Sequence, residues 1–428
     1  MSAQPLSIIN PKRRPSQFQN RQSWYSFYAS FSLPFAQEII SSARLGRHAL
    51  VVDPWNGTGT STLAAALSCN RVVGFDLNPA MVAIARAKLA EDRDLAVVSE
   101  ALRLLRGGQA CPAVAPVGDP LSVWFLDPAV REIRAVEAGF RRSTSALLGT
   151  NGKRDRNSGM PRPLAFFYLA LFRIVRTLLE PFLSSNPTWV RSPHGEDERI
   201  HFKRGTGAAM FEVVCEQMLS AATLDAASKG FADSEAHLAS ADSLPLANGS
   251  VDFILTSPPY CTRIDYAIAT KPELAILGYG GDRLRNLRHT LTGTLTVNGL
   301  ASPPGADWGQ ACSHFLKKLR NHPSKASETY YLRTHLQYFG SIARSLSEIQ
   351  RVMRGGSRCV LVVQDSYYKN VRNDLASIFI EMSQLRGLKL ERRQDFHLSR
   401  TMSRINPRTR KYRQQHTAVE SVLCLLKP

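Results

Sequence analysis

The sequence predicts an α/β fold built from βαβ units around a mostly parallel sheet, and three stretches carry that expectation. His48-Ala-Leu-Val-Val-Asp53 is an apolar run ending in an acid, followed by Pro54-Trp-Asn-Gly-Thr-Gly-Thr60, a glycine turn that opens a helix. Arg71-Val-Val-Gly-Phe-Asp76 is a second apolar run ending in an acid. Its terminal carboxylate falls about twenty residues beyond the glycines, the spacing at which such an acid grips ribose hydroxyls in a nucleotide-binding βαβ unit. Val251-Asp-Phe-Ile-Leu255 is the third, closed by the rigid turn Thr256-Ser-Pro-Pro-Tyr260.

Each element has a local cause. The aromatic segment Trp24-Tyr-Ser-Phe-Tyr-Ala-Ser-Phe-Ser-Leu-Pro-Phe35 precedes the first strand and can pack on a sheet. Gly57 and Gly59 let the backbone pass close to a ligand, and the helix from about Thr60 to Ser68 presents free N–H groups and a positive dipole end to it. Asn78 is placed to cap the next helix, with Pro79 at its first position. Between Leu89 and Ala239 lies far more chain than one connection needs. This insertion holds a helix from Asp127 to about Phe140, a polar basic link over 149–159 and a long apolar helix from about Pro163 to Leu183. It is either the main nucleic-acid-reading element or a lid or dimer contact.

Ala239-Ser-Ala-Asp242 ends a short strand. After the Pro-Pro turn, Arg263 and Asp265 either orient the turn or touch substrate, or form a structural ion pair, and a helix runs from about Tyr266 through Leu277. Residues 280–325 are rich in Gly, Pro and basic residues with little periodicity, which predicts a mobile loop over the site. Leu332, Leu336, Phe339, Ile342, Leu346, Ile349 and Met353 repeat at three and four, an amphipathic helix that Gly355-Gly356 should end. Ser357–Asp365 and Val419–Leu426 read as the last buried strands. Between them, residues 389–413 carry nine Lys or Arg against two acids. Arg400, Arg404, Arg408, Arg410 and Lys411 make this segment either a phosphate-contacting ribbon or a solvated face.

Composition bounds the function. The 428-residue chain is 44% hydrophobic, enough for one large core plus an inserted subdomain. A net charge of +19 favours an anionic polymer as partner, because each cation meeting a phosphate releases counterions. The seven cysteines are widely spaced, without CxxC pairs, so no metal site is expected and reduced thiols are implied. Met1-Ser-Ala-Gln-Pro lacks the build of a signal peptide, and the apolar run Leu164–Phe172 is too short for a bilayer. A cytoplasmic protein without a membrane partner is expected.

The turn Ser257-Pro-Pro-Tyr260 is suited to a flat, amino-bearing ring. Its prolines fix φ and donate nothing, so its carbonyls point in set directions; Ser257 adds an acceptor and Tyr260 a stacking face. Together with the glycine turn it resembles the S-adenosylmethionine-dependent amino-methyltransferases that act on DNA. Asp53-Pro-Trp-Asn-Gly-Thr-Gly-Thr60 is similar to their Asp-Pro-Phe-x-Gly-Ser-Gly-Thr cofactor motif. Thr256-Ser-Pro-Pro-Tyr260 matches their catalytic motif in the form associated mostly with cytosine N4 methylation; adenine N6 enzymes more often carry Asp or Asn at the serine. The resemblance covers roughly residues 15–95 and 235–428, with the motifs in unpermuted order.

That resemblance implies a Rossmann-like methyltransferase core with a mostly parallel seven-stranded sheet, divided into residues 15–95 and 233–428 by a largely helical subdomain over 96–232. It implies S-adenosyl-L-methionine held by Phe31, Ser32, Asp53, Pro54, Gly57, Gly59, Thr60, Asp76, Asn78 and Asp242. Catalysis falls to Ser257, Pro258, Pro259 and Tyr260, and double-stranded DNA meets Arg263 and the basic segment. A cognate restriction endonuclease is the protein partner such an enzyme implies. The base must be rotated out of the duplex, its amine held by acceptors at Ser257 and Pro258 so that the nitrogen lone pair faces the sulfonium methyl. One such contact is worth about 3 kcal/mol. The alternatives are adenine N6 methylation, guanine N2 methylation of RNA, and a nucleic-acid-binding protein without catalysis. All but the last require the glycine turn and the Pro-Pro turn to flank one cleft.

Overall fold

The computed structural model describes residues 4–12, 20–27, 30–68, 70–107, 116–149, 159–183, 189–223, 231–261, 264–294, 296, 303–398 and 418–428. Its strands are β1 (Leu50–Asp53), β2 (Arg71–Asp76), β3 (Ser234–Leu238), β4 (Val251–Thr256), β5 (Met353–Gln364), β6 (Ser366–Tyr368), β7 (Val371–Asn373), β8 (Lys389–Leu398) and β9 (Ala418–Leu426). Seven of them form one sheet in the order β3-β2-β1-β4-β5-β9-β8, while β6 and β7 make a small hairpin. The pairs from β3 to β5 are parallel; β9 runs antiparallel between β5 and β8. This is an α/β fold with a mostly parallel seven-stranded sheet, compatible with the Rossmann-like expectation.

Both faces of the sheet are covered, as buried parallel strands require. Val51 of β1, Phe253 and Leu255 of β4, and Val360 and Val362 of β5 pack with Phe35, Ile39 and Ile40 of the Leu33–Ala43 helix and Leu63 of the Thr60–Leu67 helix. Their sequence neighbours Val52, Ile254, Cys359 and Leu361 point the other way, against Phe339, Ile342 and Leu346 of the Leu332–Val352 helix and Phe379 of the Leu375–Gln384 helix. The period-two alternation of strand side chains thus divides one apolar run between two cores.

The insertion is helical, as expected, with helices Asp92–Gly107, Asp127–Leu147, Arg162–Leu178 and Thr206–Thr223. It is not set apart from the sheet's own helices. Phe166, Leu169 and Phe172 of the Arg162–Leu178 helix share a core with Ala80 and Ile84 of the Pro79–Lys88 helix and Leu274 of the Lys271–Ile276 helix. A buried polar hub fastens the same junction. Glu273, fully buried, accepts from the hydroxyl of Tyr25 at 2.8 Å and from Arg176 Nε at 2.5 Å.

Two expectations fail here. The stretch 280–325 is not simply a loop: it contains helices Gly281–Thr290 and Gly309–Arg320. Cys312, Phe315, Leu316 and Leu319 give the second its buried face, and Lys317, Lys318 and Arg320 suit its C-terminal dipole. Gly355 and Gly356 do not end the amphipathic helix. It stops at Val352 because Met353 is already extended, at φ −61 and ψ 140, and both glycines lie inside β5. Smaller differences are local: Tyr266–Ala269 and Lys271–Ile276 are separate helices, interrupted at Thr270 just before Pro272. No helix among the described residues is long and apolar enough to cross a membrane.

The Glu273 hub makes a direct prediction. Arg176→Ala leaves a buried carboxylate without its cation and should lower unfolding free energy by about 3 kcal/mol, read as a shifted urea midpoint at unchanged slope. An unaltered midpoint would show that the hub bears no load.

Candidate active site

From β1 the chain runs outward to β2 and β3, then returns to lay β4 on the other side of β1. In open α/β sheets that reversal leaves a crevice beyond the carboxyl ends of the two adjoining strands. Here those ends are Asp53 and Thr256, so the switch point is bounded by the glycine turn and the Pro-Pro turn. The crevice is a cleft containing about 920 Å³ of space, part of it open to solvent, and both turns line it.

A single carboxylate ties the two turns together. Asp53, 3% exposed, accepts from the Trp55 N–H at 3.0 Å and from the hydroxyl of Thr256. Asp76 does comparable work at the end of β2: it accepts from Gly57 N–H at 2.9 Å and from Asn78 N–H at 2.7 Å. Burial pushes each carboxyl up to about 6, against the opposing pull of these hydrogen bonds. Gly59 caps the Thr60–Leu67 helix at φ 80, and a Cβ there would come within 2.9 Å of the Ala85 Cβ. Gly74 of β2 makes room for Asn56, which accepts from the Thr62 hydroxyl at 3.1 Å.

The Pro-Pro turn is held at three of its polar groups. The Ser257 hydroxyl donates to the Val362 carbonyl at 2.9 Å. Tyr338 donates its hydroxyl to the Pro259 carbonyl at 2.9 Å, and the Tyr260 N–H donates to the hydroxyl of Tyr266 at 2.9 Å. With its proton committed to Val362, the Ser257 oxygen faces other groups only as an acceptor. Among the described residues nothing donates to the Pro258 carbonyl. What the turn can still offer a ligand at Ser257 and Pro258 is acceptance.

Most residues singled out in the sequence meet here: Phe31, Asp53, Pro54, Gly57, Thr60, Asp76 and Asn78 line the cleft with Ser257, Pro258, Pro259 and Tyr260. Asn78 is already engaged on both sides of its amide, accepting from Ala80 N–H at 3.0 Å and donating to the Thr270 hydroxyl at 2.8 Å. Three residues stand back from the lining. Ser32 caps the Leu33–Ala43 helix through Phe35 N–H, and Gly59 lies behind the turn against Ala85. Asp242 pairs with Arg344 at 3.3 Å, while its neighbours Ala239 and Ala241 reach the cleft. Arg263, Arg400, Arg404, Arg408, Arg410 and Lys411 lie outside the described residues. Asp265 pairs with Arg288 at 2.6 Å, a partner the sequence did not mark, and caps the Tyr266–Ala269 helix through Ile268 N–H.

Tyr266, Leu291 and Thr292 also line the cleft. Leu291 and Thr292 follow the helix Gly281–Thr290, in the stretch without periodicity, and nothing local in the sequence marks them. Tyr338 falls between Leu336 and Phe339 on an amphipathic helix, where an aromatic reads as core; its hydroxyl is visible as a partner only once Pro259 is placed beside it. No protein-family model and no curated protein matches the chain.

The raised acids predict a pH dependence. A carboxyl whose folded pKa is about 6, against about 3.9 unfolded, makes its full contribution to stability below pH 4 and loses it as pH rises through 6. Asp76→Asn should therefore flatten the fall in thermal midpoint between pH 4 and 6 relative to the unaltered protein. Parallel curves for the two proteins would contradict the assignment.

Proposed function

We propose that the chain is an S-adenosylmethionine-dependent methyltransferase acting on an exocyclic amine of a nucleobase in DNA, with cytosine N4 as the favoured target. The observation that carries this reading is the shared cleft: a glycine turn and strand-end acid on one wall, and an acceptor-bearing Ser-Pro-Pro-Tyr turn on the other. The resemblance of both turns to the motifs of DNA amino-methyltransferases supports it, and the net charge of +19 supports a polyanionic partner.

The residues present fit that cofactor. Asp76 offers carboxylate oxygens to ribose hydroxyls, the N-terminal end of the Thr60–Leu67 helix faces the cleft through Thr60 and Ser61, and Phe31 supplies an apolar wall. When bound, S-adenosylmethionine supplies an electrophilic methyl and leaves as the neutral thioether, while the amine sheds one proton to solvent. The chain's own contribution is positioning. Ser257 Oγ and the Pro258 carbonyl accept the two amine hydrogens and bias the nitrogen away from conjugation with the ring. Tyr260 gives the extruded ring a face to stack on. A thiolate nucleophile has no place in this scheme, and Cys261, the nearest cysteine in sequence, is fully buried in the core.

The deciding experiment is methyl transfer from labelled S-adenosylmethionine to duplex DNA and, separately, to transfer RNA, with modified nucleosides identified by mass spectrometry. N4-methylcytosine in DNA is expected; N6-methyladenine, or N2-methylguanosine in RNA, would replace the target, and absence of cofactor binding by calorimetry would remove the enzyme reading. Tyr260→Ala should abolish turnover with cofactor affinity within about twofold, whereas Asp76→Ala should weaken cofactor binding by roughly tenfold or more, the size of one lost charged hydrogen bond. The reverse pattern would refute the division of labour between the two turns.

A further inference from the structure

The stretch that reads as a loop in the sequence, with the start of the helix after it, carries a surface that the cleft does not use. Between Gly309 and Gly340 the chain has Lys317, Lys318, Arg320, Lys325 and Arg333, against a single acid, Glu328. All six of these residues are exposed, and none of the five cations forms an ion pair with a described residue. The dipole of the Gly309–Arg320 helix accounts for cations in its last turn, but not for Lys325 or Arg333 beyond it.

The hairpin β6–β7 fixes where this surface lies. β5 runs parallel to β4, and β4 to β1, so the hairpin that follows β5 stands on the carboxyl edge of the sheet, the edge that holds the cleft. His322 Nε2 donates to Asn370 Oδ1 at 2.9 Å, and the hydroxyls of Ser324 and Tyr368 are 2.6 Å apart. Tyr331 packs on Tyr368 with ring centroids 4.8 Å apart. About two helical turns beyond Tyr331, roughly 10 Å along the axis, Tyr338 holds the Pro259 carbonyl. Tyr330, 39% exposed, stands in the field of Arg288 and Asp265, and the helix bearing Arg288 leads into Leu291 and Thr292 of the cleft lining. Two acids on this edge are already neutralised, Asp365 by Arg372 and Asp265 by Arg288, each at 2.6 Å. The cations therefore border the cleft beside the Pro-Pro turn, and their charge is left to solvent.

We propose that Lys317, Lys318, Arg320, Lys325 and Arg333 form the surface that holds the phosphate backbone of duplex DNA beside the cleft. The proposal rests on the reading of the chain as a DNA methyltransferase. An extruded base stays bonded to its strand, so the phosphates on either side of it must be held near the mouth of the pocket. At about 3.4 Å of rise per nucleotide, 10 Å spans about three steps of that strand. Exposed cations borne on helices and the turn between them meet those charges without reading sequence, and they fix the register of the duplex on the protein.

The test measures binding of the full chain to a labelled DNA duplex by fluorescence anisotropy at several salt concentrations. The combined variant Arg320→Gln, Lys325→Gln, Arg333→Gln is compared with the unaltered protein and with Arg44→Gln, Arg47→Gln, Arg71→Gln. The latter three arginines are also exposed and without an ion pair to a described residue, but they lie before β1 and at the start of β2, on the opposite edge of the sheet. Three lost phosphate contacts should flatten the slope of log K against log salt by about 2.7 and weaken binding at about 0.1 M salt by roughly tenfold or more, with the opposite-edge variant within about twofold of the unaltered protein. The charge-keeping variant Arg320→Lys, Lys325→Arg, Arg333→Lys should retain the full slope. An unchanged slope in the first variant, equal losses on both edges, or an equal loss in the charge-keeping variant overturns the assignment. So does tighter binding of transfer RNA than of duplex DNA through the same cations. Methyl transfer by the unaltered protein is scored separately. Binding through these cations without transfer overturns the methyltransferase reading and leaves the surface standing, whereas transfer to DNA with full slope in the first variant does the reverse.

Discussion

The contact on which the site depends is the one between Asp53 and Thr256. These residues are distant in sequence and close the carboxyl ends of two strands that lie side by side only because the chain reverses direction across the sheet. The Asp53 carboxylate accepts from the Thr256 hydroxyl and from Trp55 N–H, so one buried acid fixes the start of the glycine turn and the start of the Pro-Pro turn together. A buried carboxyl is costly unless it is hydrogen-bonded, and its raised pKa records that cost. Placing it at the switch point exchanges stability for a fixed distance between two walls. Sites that must hold two reactants in register need that distance set before either arrives.

The helical insertion belongs to the same argument. Glu273 sits at the junction of three segments: the N-terminal stretch carrying Tyr25, the inserted helix carrying Arg176, and the helix Lys271–Ile276 that follows the Pro-Pro turn. A second junction repeats the pattern. Arg134 bridges Asp119 and Glu137 and also donates to the carbonyls of Ala275 and Ile276, capping that short helix from the insertion side. The insertion therefore buttresses the segment after Tyr260 from behind. Its apolar face is spent inside the molecule, among the helices of the sheet. Any role in contacting nucleic acid falls to its outer surfaces and loops.

What could be read from the sequence was what is decided locally. Strand runs ending in acids, the glycine turn, the Asn78-Pro79 helix start and the rigid Pro-Pro turn each follow from the φ preferences and capping chemistry of a few adjacent residues. All of them hold in the structure. Errors arose where composition masked pattern. The helix Gly309–Arg320 carries the three-four spacing Cys312, Phe315, Leu316, Leu319, but glycines, prolines and cations around it make the whole stretch resemble a loop. Gly355-Gly356 has the composition of a helix stop and instead lies in a strand, because the chain turns extended at Met353 without needing a left-handed residue. Asp242 and Ser32 carry polar groups suited to a ligand, yet Asp242 meets the Ser240 hydroxyl and Arg344, and Ser32 a helix N-terminus. Which partner a polar group meets is a tertiary fact, and no spacing rule supplies it.

The tyrosine pair around the Pro-Pro turn shows why the turn's chemistry depends on its surroundings. In isolation, Ser257 can donate as readily as accept, and the turn could hold a carbonyl as well as an amine. The Val362 carbonyl consumes the serine's proton, Tyr266 occupies the only backbone N–H in Pro258-Pro259-Tyr260, and Tyr338 satisfies the Pro259 carbonyl. With those groups engaged, the Ser257 oxygen and the Pro258 carbonyl remain on Ser257-Pro258-Pro259 as acceptors. Because Tyr338 is fully shielded from water, burial holds its hydroxyl protonated far above neutral pH, so the donor to Pro259 does not switch off. A turn whose neighbours dictate acceptance discriminates against ligands that also accept, since two acceptors facing each other in a desolvated site leave both unsatisfied. On the proposed methyl-transfer reading, selectivity for an amine would be set by groups that need not touch it.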